Sequence, residues 1–139
     1  MILCDAGPLI ALIDASEADN HHRCKAVLPN LRGPLVTTWA CFTEAMYFLG
    51  DRGGLPLQRM LWRFVDTGKL RLYSHAEAET SRMKQLMDTY HDTPMDFPDA
   101  SLVAAAESLN VTQIFTLDTH FYAYRINAKT PFDVFPDLS

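Results

Sequence analysis

The chain alternates between short apolar runs that stop abruptly at polar residues and longer segments with helical spacing. Met1-Ile2-Leu3-Cys4 stops at Asp5 and is continuously apolar, the form of a strand buried on both faces. Leu35 to Thr37, Leu70 to Tyr73, Gln113 to Leu117 and Phe132 to Phe135 read as the other strands. Between them the spacing predicts helices over Leu9 to Ala15, Asn20 to Leu31, Trp39 to about Leu49, Pro56 to the Gly68 stop, Ala76 to about Tyr90, and Asp99 to Leu109. Thr38 is the expected N-cap of the third helix, and Asn110 is the expected end of the last. Short strands alternating with helices imply right-handed crossovers, hence an α/β fold with a mostly parallel central sheet and helices on both faces.

The chain has 139 residues, 48% of them hydrophobic and 21% charged, and this suits one domain spanning residues 1–139. No apolar run is long enough for a membrane span, and with no basic stretch before the first strand no secretory signal is expected. Cys4, Cys24 and Cys41 lack metal-type spacing, and the cytoplasm is the expected compartment. A net charge of -5 argues against a broad basic clamp on nucleic acid. It leaves room for a basic partner, and a cation bound at an acidic site can still present positive potential to a phosphate.

Four acids far apart in the sequence fall where such a sheet gathers residues. Asp5 and Asp118 end two strands, and Asp99 opens a helix. Ligands in open parallel sheets bind beyond the C-terminal strand ends, where the strand order switches. Glu44 lies within an apolar helix, with Ala40, Cys41, Tyr47 and Phe48 at its helical neighbour positions. A carboxylate there is expected to be paired, protonated or metal-bound. Arg52 on the same helix is its nearest sequence candidate for an ion pair. Asp5 and Asp118 alone are equally consistent with a cap or turn residue, and Asp99 alone reads first as an acid favoured by the helix dipole. Taken together they read as a divalent-metal site. Hard oxygen donors without a His or Cys cluster suit Mg²⁺ or Mn²⁺, which commonly join carboxylates to phosphates and so point to phosphodiester chemistry.

Four segments carry a family resemblance: Ile2-Leu3-Cys4-Asp5-Ala6-Gly7-Pro8-Leu9 through Asp14, Thr38-Trp39-Ala40-Cys41-Phe42-Thr43-Glu44-Ala45, Asp99-Ala100-Ser101-Leu102 through Ala106, and Phe115-Thr116-Leu117-Asp118-Thr119-His120-Phe121. In this order they resemble the PIN domain, a small Rossmann-like nuclease fold that includes VapC-type toxins of toxin–antitoxin pairs. The resemblance aligns Asp5, Glu44, Asp99 and Asp118 with the family's four acidic ligands. It implies a Mg²⁺- or Mn²⁺-dependent endoribonuclease acting on RNA, a frequent homodimer, and an antitoxin partner. Asp96 is either a helix cap or an additional ligand. Thr116 either orients a ligand through its hydroxyl or packs the strand.

Two other readings remain open. One is a PIN-like protein that processes or binds RNA without a toxin role, and the other is a Mg²⁺-dependent phosphotransfer domain, which also places an acid at a strand end. Ala6 and Gly7 after Asp5, and no lysine in Phe132 to Pro136, weigh against the latter. His21-His22 with Cys24 lacks the second half of a zinc site. His120 is expected at a cleft rim, and Arg52, Arg59 and Arg63 with Trp62 form a solvated face or a contact surface. Trp39, Phe42, Met46, Met60 and Trp62 exceed what one small core can hold, so a dimer or antitoxin groove is expected there.

Overall fold

The computed structural model describes residues 1–139. Five strands, β1 (Ile2–Cys4), β2 (Leu35–Thr38), β3 (Leu70–Tyr73), β4 (Gln113–Phe115) and β7 (Asp133–Phe135), form one sheet in the order β3-β2-β1-β4-β7. All four pairings are parallel. From β1 the chain builds outward through β2 and β3, then returns to β1's other side with β4. The order therefore switches between β1 and β4, and the ends of those two strands border one crevice.

Six helices cover the sheet. Helices α1 (Ala6–Ile13), α3 (Trp39–Gly53) and α4 (Leu55–Asp66) pack with Ile2, Cys4, Leu35, Leu70 and Phe115 on one face. On the other face, α5 (Glu79–Thr89) and α6 (Phe97–Leu109) pack with Leu3 and Ile114. Leu3 pointing one way and Ile2 and Cys4 the other is the period-2 alternation of a doubly covered strand. Helix α2 (Ala18–Val27) lies outermost and buries only Cys24.

Several element limits differ from the sequence reading, each for a local reason. Helix α1 begins at Ala6, because the Asp5 carboxylate accepts the Ala6 N–H at 2.8 Å. Pro8 sits within that first turn, where a missing N–H costs nothing. Helix α2 stops at Val27 and continues as a 3-10 turn over Leu28–Asn30, since Pro29 lacks the N–H an α-helix needs. Helix α3 runs through Gly50 to Gly53 and stops at Gly54, whose φ of +69° favours glycine. A Cβ at Gly50 would collide with the Gln58 side chain, which donates to the Met46 carbonyl at 3.1 Å and ties α4 to α3. Helix α5 begins at Glu79 rather than Ala76, and β4 ends at Phe115 rather than Leu117.

Helix α6 begins two residues before Asp99. Asp96 is its N-cap and forms a capping box, accepting the Asp99 N–H at 3.0 Å while the Asp99 carboxylate accepts the Asp96 N–H at 3.3 Å. Asn110 ends the helix in the left-handed region, as expected of it. The antiparallel hairpin of β5 (Arg125–Ile126) and β6 (Thr130–Pro131) was not read from the sequence. It carries Tyr124 and Ile126 into the core beneath α6.

Candidate metal centre

Backbone pairing delivers the first two acids. The Asp5 N–H donates to the Phe115 carbonyl at 2.9 Å, extending the β1–β4 ladder to the sheet edge. The next step turns into α1 and leaves the Asp5 carboxylate in the crevice. Its Oδ1 accepts the Ala6 N–H, and its Oδ2 accepts the Thr116 hydroxyl at 2.8 Å. The same Thr116 oxygen accepts the Asp118 N–H at 3.0 Å. Asp118 then caps a 3-10 turn over Thr119–Tyr122, with its Oδ1 accepting the His120 N–H at 2.9 Å and also 2.9 Å from His120 Nδ1. Asp99 enters from α6, and its Oδ2 lies 3.4 Å from the Tyr124 hydroxyl.

One ligand oxygen from each of Asp5, Asp99 and Asp118 lies within 4.8 Å of the others. Asp5 and Asp99 are buried, and Asp118 is half-buried. Glu44 and Asp96 line the same cavity, of about 430 Å³, but stand outside this triad. Glu44 lies in the second turn of α3, partly exposed, and makes neither a hydrogen bond nor an ion pair with the protein.

Electrostatics make the cluster costly when empty. Burial, opposed by the bonds from Thr116 and Ala6, raises the Asp5 pKa to about 6. Burial and then the carboxylates of Asp5, Asp96 and Asp118 raise Glu44 to about 7. Asp99 is raised to about 8 by burial and by Asp96 and Asp5. No Lys or Arg lines the cavity, and none pairs with these three acids. Oxygen donors gathered without a countercharge fit a hard divalent cation such as Mg²⁺ or Mn²⁺, which would remove both the repulsion and the desolvation cost.

The sequence candidates thus divide. Asp5, Asp99 and Asp118 converge; Glu44 borders them; Asp96 is the helix cap. Thr116 bridges two of the acids by hydrogen bonds. Thr38 accepts the Cys41 N–H as the cap of α3, and its hydroxyl lies 2.7 Å from Ser101 Oγ rather than at an acid. Arg52 does not reach Glu44. It clamps Asp14 at 3.1 Å and Glu17 at 2.9 Å, because its side chain crosses to the end of α1. His21 Nδ1 lies 2.7 Å from the Ala11 carbonyl, and Cys24 is buried.

Two residues at the site escaped sequence reading. Cys41 Sγ lies 3.9 Å from Asp5 Oδ1, and the fully buried Tyr124 donates its hydroxyl to the Pro94 carbonyl at 3.0 Å beside Asp99. A lone cysteine in an apolar helix and a tyrosine in a loop carry no pattern that marks them.

No protein-family model matches the chain, and no curated protein sequence matches it. Solved structures do. VapC20 of Mycobacterium tuberculosis, a sarcin–ricin-loop-cleaving toxin, aligns with a TM-score of 0.77 at 15% identity, over 85% of this chain and 90% of that one. A chain of a toxin–antitoxin complex from Klebsiella pneumoniae aligns at 0.64 and 18% identity, over 86% and 88%. A chain of VapBC2 from Rickettsia felis, solved bound to a DNA fragment of its promoter, aligns at 0.65 and 12% identity, over 96% and 98%. The fold is therefore the PIN-domain fold that the four sequence segments resemble. It takes the form seen in VapC-type toxins.

Proposed function

We propose that residues 1–139 form one nuclease domain, a divalent-metal-dependent endoribonuclease that acts in the cytoplasm as the toxin of a toxin–antitoxin pair. The observation that carries this reading is the convergence of Asp5, Asp99 and Asp118 within 4.8 Å, without a basic partner, at the switch point of the sheet. The likeness to a toxin that cleaves the sarcin–ricin loop supports RNA as the substrate.

In this reading Asp5, Glu44, Asp99 and Asp118 are the catalytic residues and would hold Mg²⁺ or Mn²⁺, and Asp96 adds negative charge at the rim. When bound, the cation acidifies water and stabilises the charge that develops on a phosphodiester. The chain's own residues prepare the place. Thr116 holds Asp5 Oδ2 and the Asp118 backbone in one register. Burial of Asp5 and Asp99 excludes bulk water on the protein side, and the open side of the cavity leaves room for a strand of RNA. Thr38 acts at one remove, fixing the start of α3 and so the position of Glu44.

A homodimer partner or an antitoxin is proposed for the α3–α4 face. Trp39, Met60 and Trp62 are exposed there, beside a groove of about 400 Å³ that also includes Phe42 and Met46. Arg59 and Arg63 on α4 are exposed and can meet an acidic segment or an RNA backbone.

The decisive experiment is incubation of purified protein with a mixed RNA pool plus Mn²⁺, with and without chelator, alongside Asp5→Asn. Cleavage that needs metal and is lost in the variant supports the reading. Metal-independent cleavage, or full activity of Asp5→Asn, would overturn it.

A further inference from the structure

A second cavity, of about 490 Å³, opens at the sheet edge opposite the acids, ahead of β2 and β3. Leu12 from α1, Leu28 and Leu31 from the segment after α2, Leu35 at the start of β2, and Phe64 from α4 give it an apolar interior. His21, Lys25 and Lys69 complete the lining, and no Asp or Glu takes part. Neither lysine forms an ion pair. His21 is held by the Ala11 carbonyl through Nδ1, which leaves Nε2 without a protein partner. Beside Lys69, nothing lies within 4 Å of where a Cβ on Gly68 would sit, so the cavity is open at that point.

In a chain of net charge -5, this lining carries two lysines without an ion pair and no acid. The volume falls in the range of small-molecule sites, roughly 300–1,000 Å³. We infer that this cavity binds a small amphipathic carboxylate, with its apolar body among Leu12, Leu31, Leu35 and Phe64 and its head group on Lys25 and Lys69. The apolar interior supplies affinity, and the lysines select a negative head through charge-assisted hydrogen bonds. The inference is independent of the nuclease reading, since none of these residues lines the acidic cavity.

Decanoate is the probe, titrated into the full chain by calorimetry and by NMR of the leucine methyl groups, with decylamine as the opposite-charge control. Decanoate is expected to saturate one site and to shift the Leu12, Leu31 and Leu35 methyls. Decylamine should bind at least about tenfold more weakly. Both lysines are exposed, so Lys25→Glu with Lys69→Glu should melt like the parent and lose decanoate affinity by at least about tenfold. Lys25→Arg with Lys69→Arg should keep it. If charge reversal perturbs folding, the Lys25→Gln, Lys69→Gln pair reads the same loss. Equal affinity for decanoate and decylamine, shifts confined to the Trp39–Trp62 groove, no saturable binding, or full affinity in the charge-altered variants would each overturn the inference.

Discussion

Thr116 Oγ1 donates to Asp5 Oδ2 at 2.8 Å and, with the same oxygen, accepts the Asp118 N–H at 3.0 Å. One fully buried hydroxyl thus sets the spacing of two acids that come from opposite ends of the chain. Replacing Thr116 with valine keeps the shape and removes both bonds. Mn²⁺ affinity measured by calorimetry should fall roughly 10- to 100-fold, the usual cost of losing a group that orients a ligand. Stability should drop by about 1–3 kcal/mol, because the Asp118 N–H is left without its partner. Thr116→Ser should restore most of both.

The three raised carboxyl groups set a pH dependence for the metal-free protein. In the unfolded chain they release protons near pH 4. In the folded chain Asp5 holds its proton to about 6, Glu44 to about 7 and Asp99 to about 8. Between these limits the folded state binds more protons, so their contribution to stability is full in acid and is lost as pH rises toward 8. Melting temperature of chelated protein should therefore fall from this source between about pH 4 and pH 8. Saturating Mn²⁺ should flatten the fall, since a ligand bound to the folded state stabilises it.

Asp99→Asn separates chemistry from folding. It removes one charge from a cluster with no countercharge, so the variant should melt higher than the parent without metal at pH 8. Mn²⁺-dependent RNA cleavage should disappear. A variant that still cleaves RNA at the parent rate would remove Asp99 from the catalytic set.

Tyr124 links the hairpin to the site. Its hydroxyl bonds the Pro94 carbonyl at 3.0 Å and stands 3.4 Å from Asp99 Oδ2. Tyr124→Phe should cost about 1–3 kcal/mol in denaturant unfolding by leaving a carbonyl unpaired. A change in Mn²⁺ affinity well below that of Thr116→Val is expected, because the contact with Asp99 is long.

The exposed α3–α4 face makes a prediction about assembly. Trp62 is 44% exposed and packs edge-on against the buried Phe42, with ring centroids 4.9 Å apart. Trp62→Glu should shift the sedimentation of a dimer to that of a monomer while RNA cleavage persists. A parent protein that is already monomeric at high concentration would count against a homodimer on this face.

Much of the architecture was legible because it is written locally. Apolar runs of strand length and helical spacing located all five strands of the sheet and all six helices. Helix ends were less legible, since they depend on which side chain reaches which N–H. Asp96 rather than Asp99 begins α6 because its carboxylate accepts the Asp99 N–H, and Pro29 breaks α2 by lacking one. Glu44 stood out in sequence by its apolar neighbours, but its expected partner Arg52 went to Asp14 and Glu17, a choice made by the approach of α3 to the end of α1.

By itself, the sequence determined the α/β class, the order of elements, and which acids follow a strand or fall in the first turn of a helix, because hydrophobic period and capping chemistry act over a few residues; that Asp118 lies three residues past β4, as the cap of a 3-10 turn, was not among them. Only the tertiary structure decided that β4 lies beside β1, that Asp5, Asp99 and Asp118 share one crevice while Glu44 stands at its border, and that Thr116 and Tyr124 brace them. Those relations span the chain, and they exist only once parallel pairing and helix packing have brought distant backbone segments together.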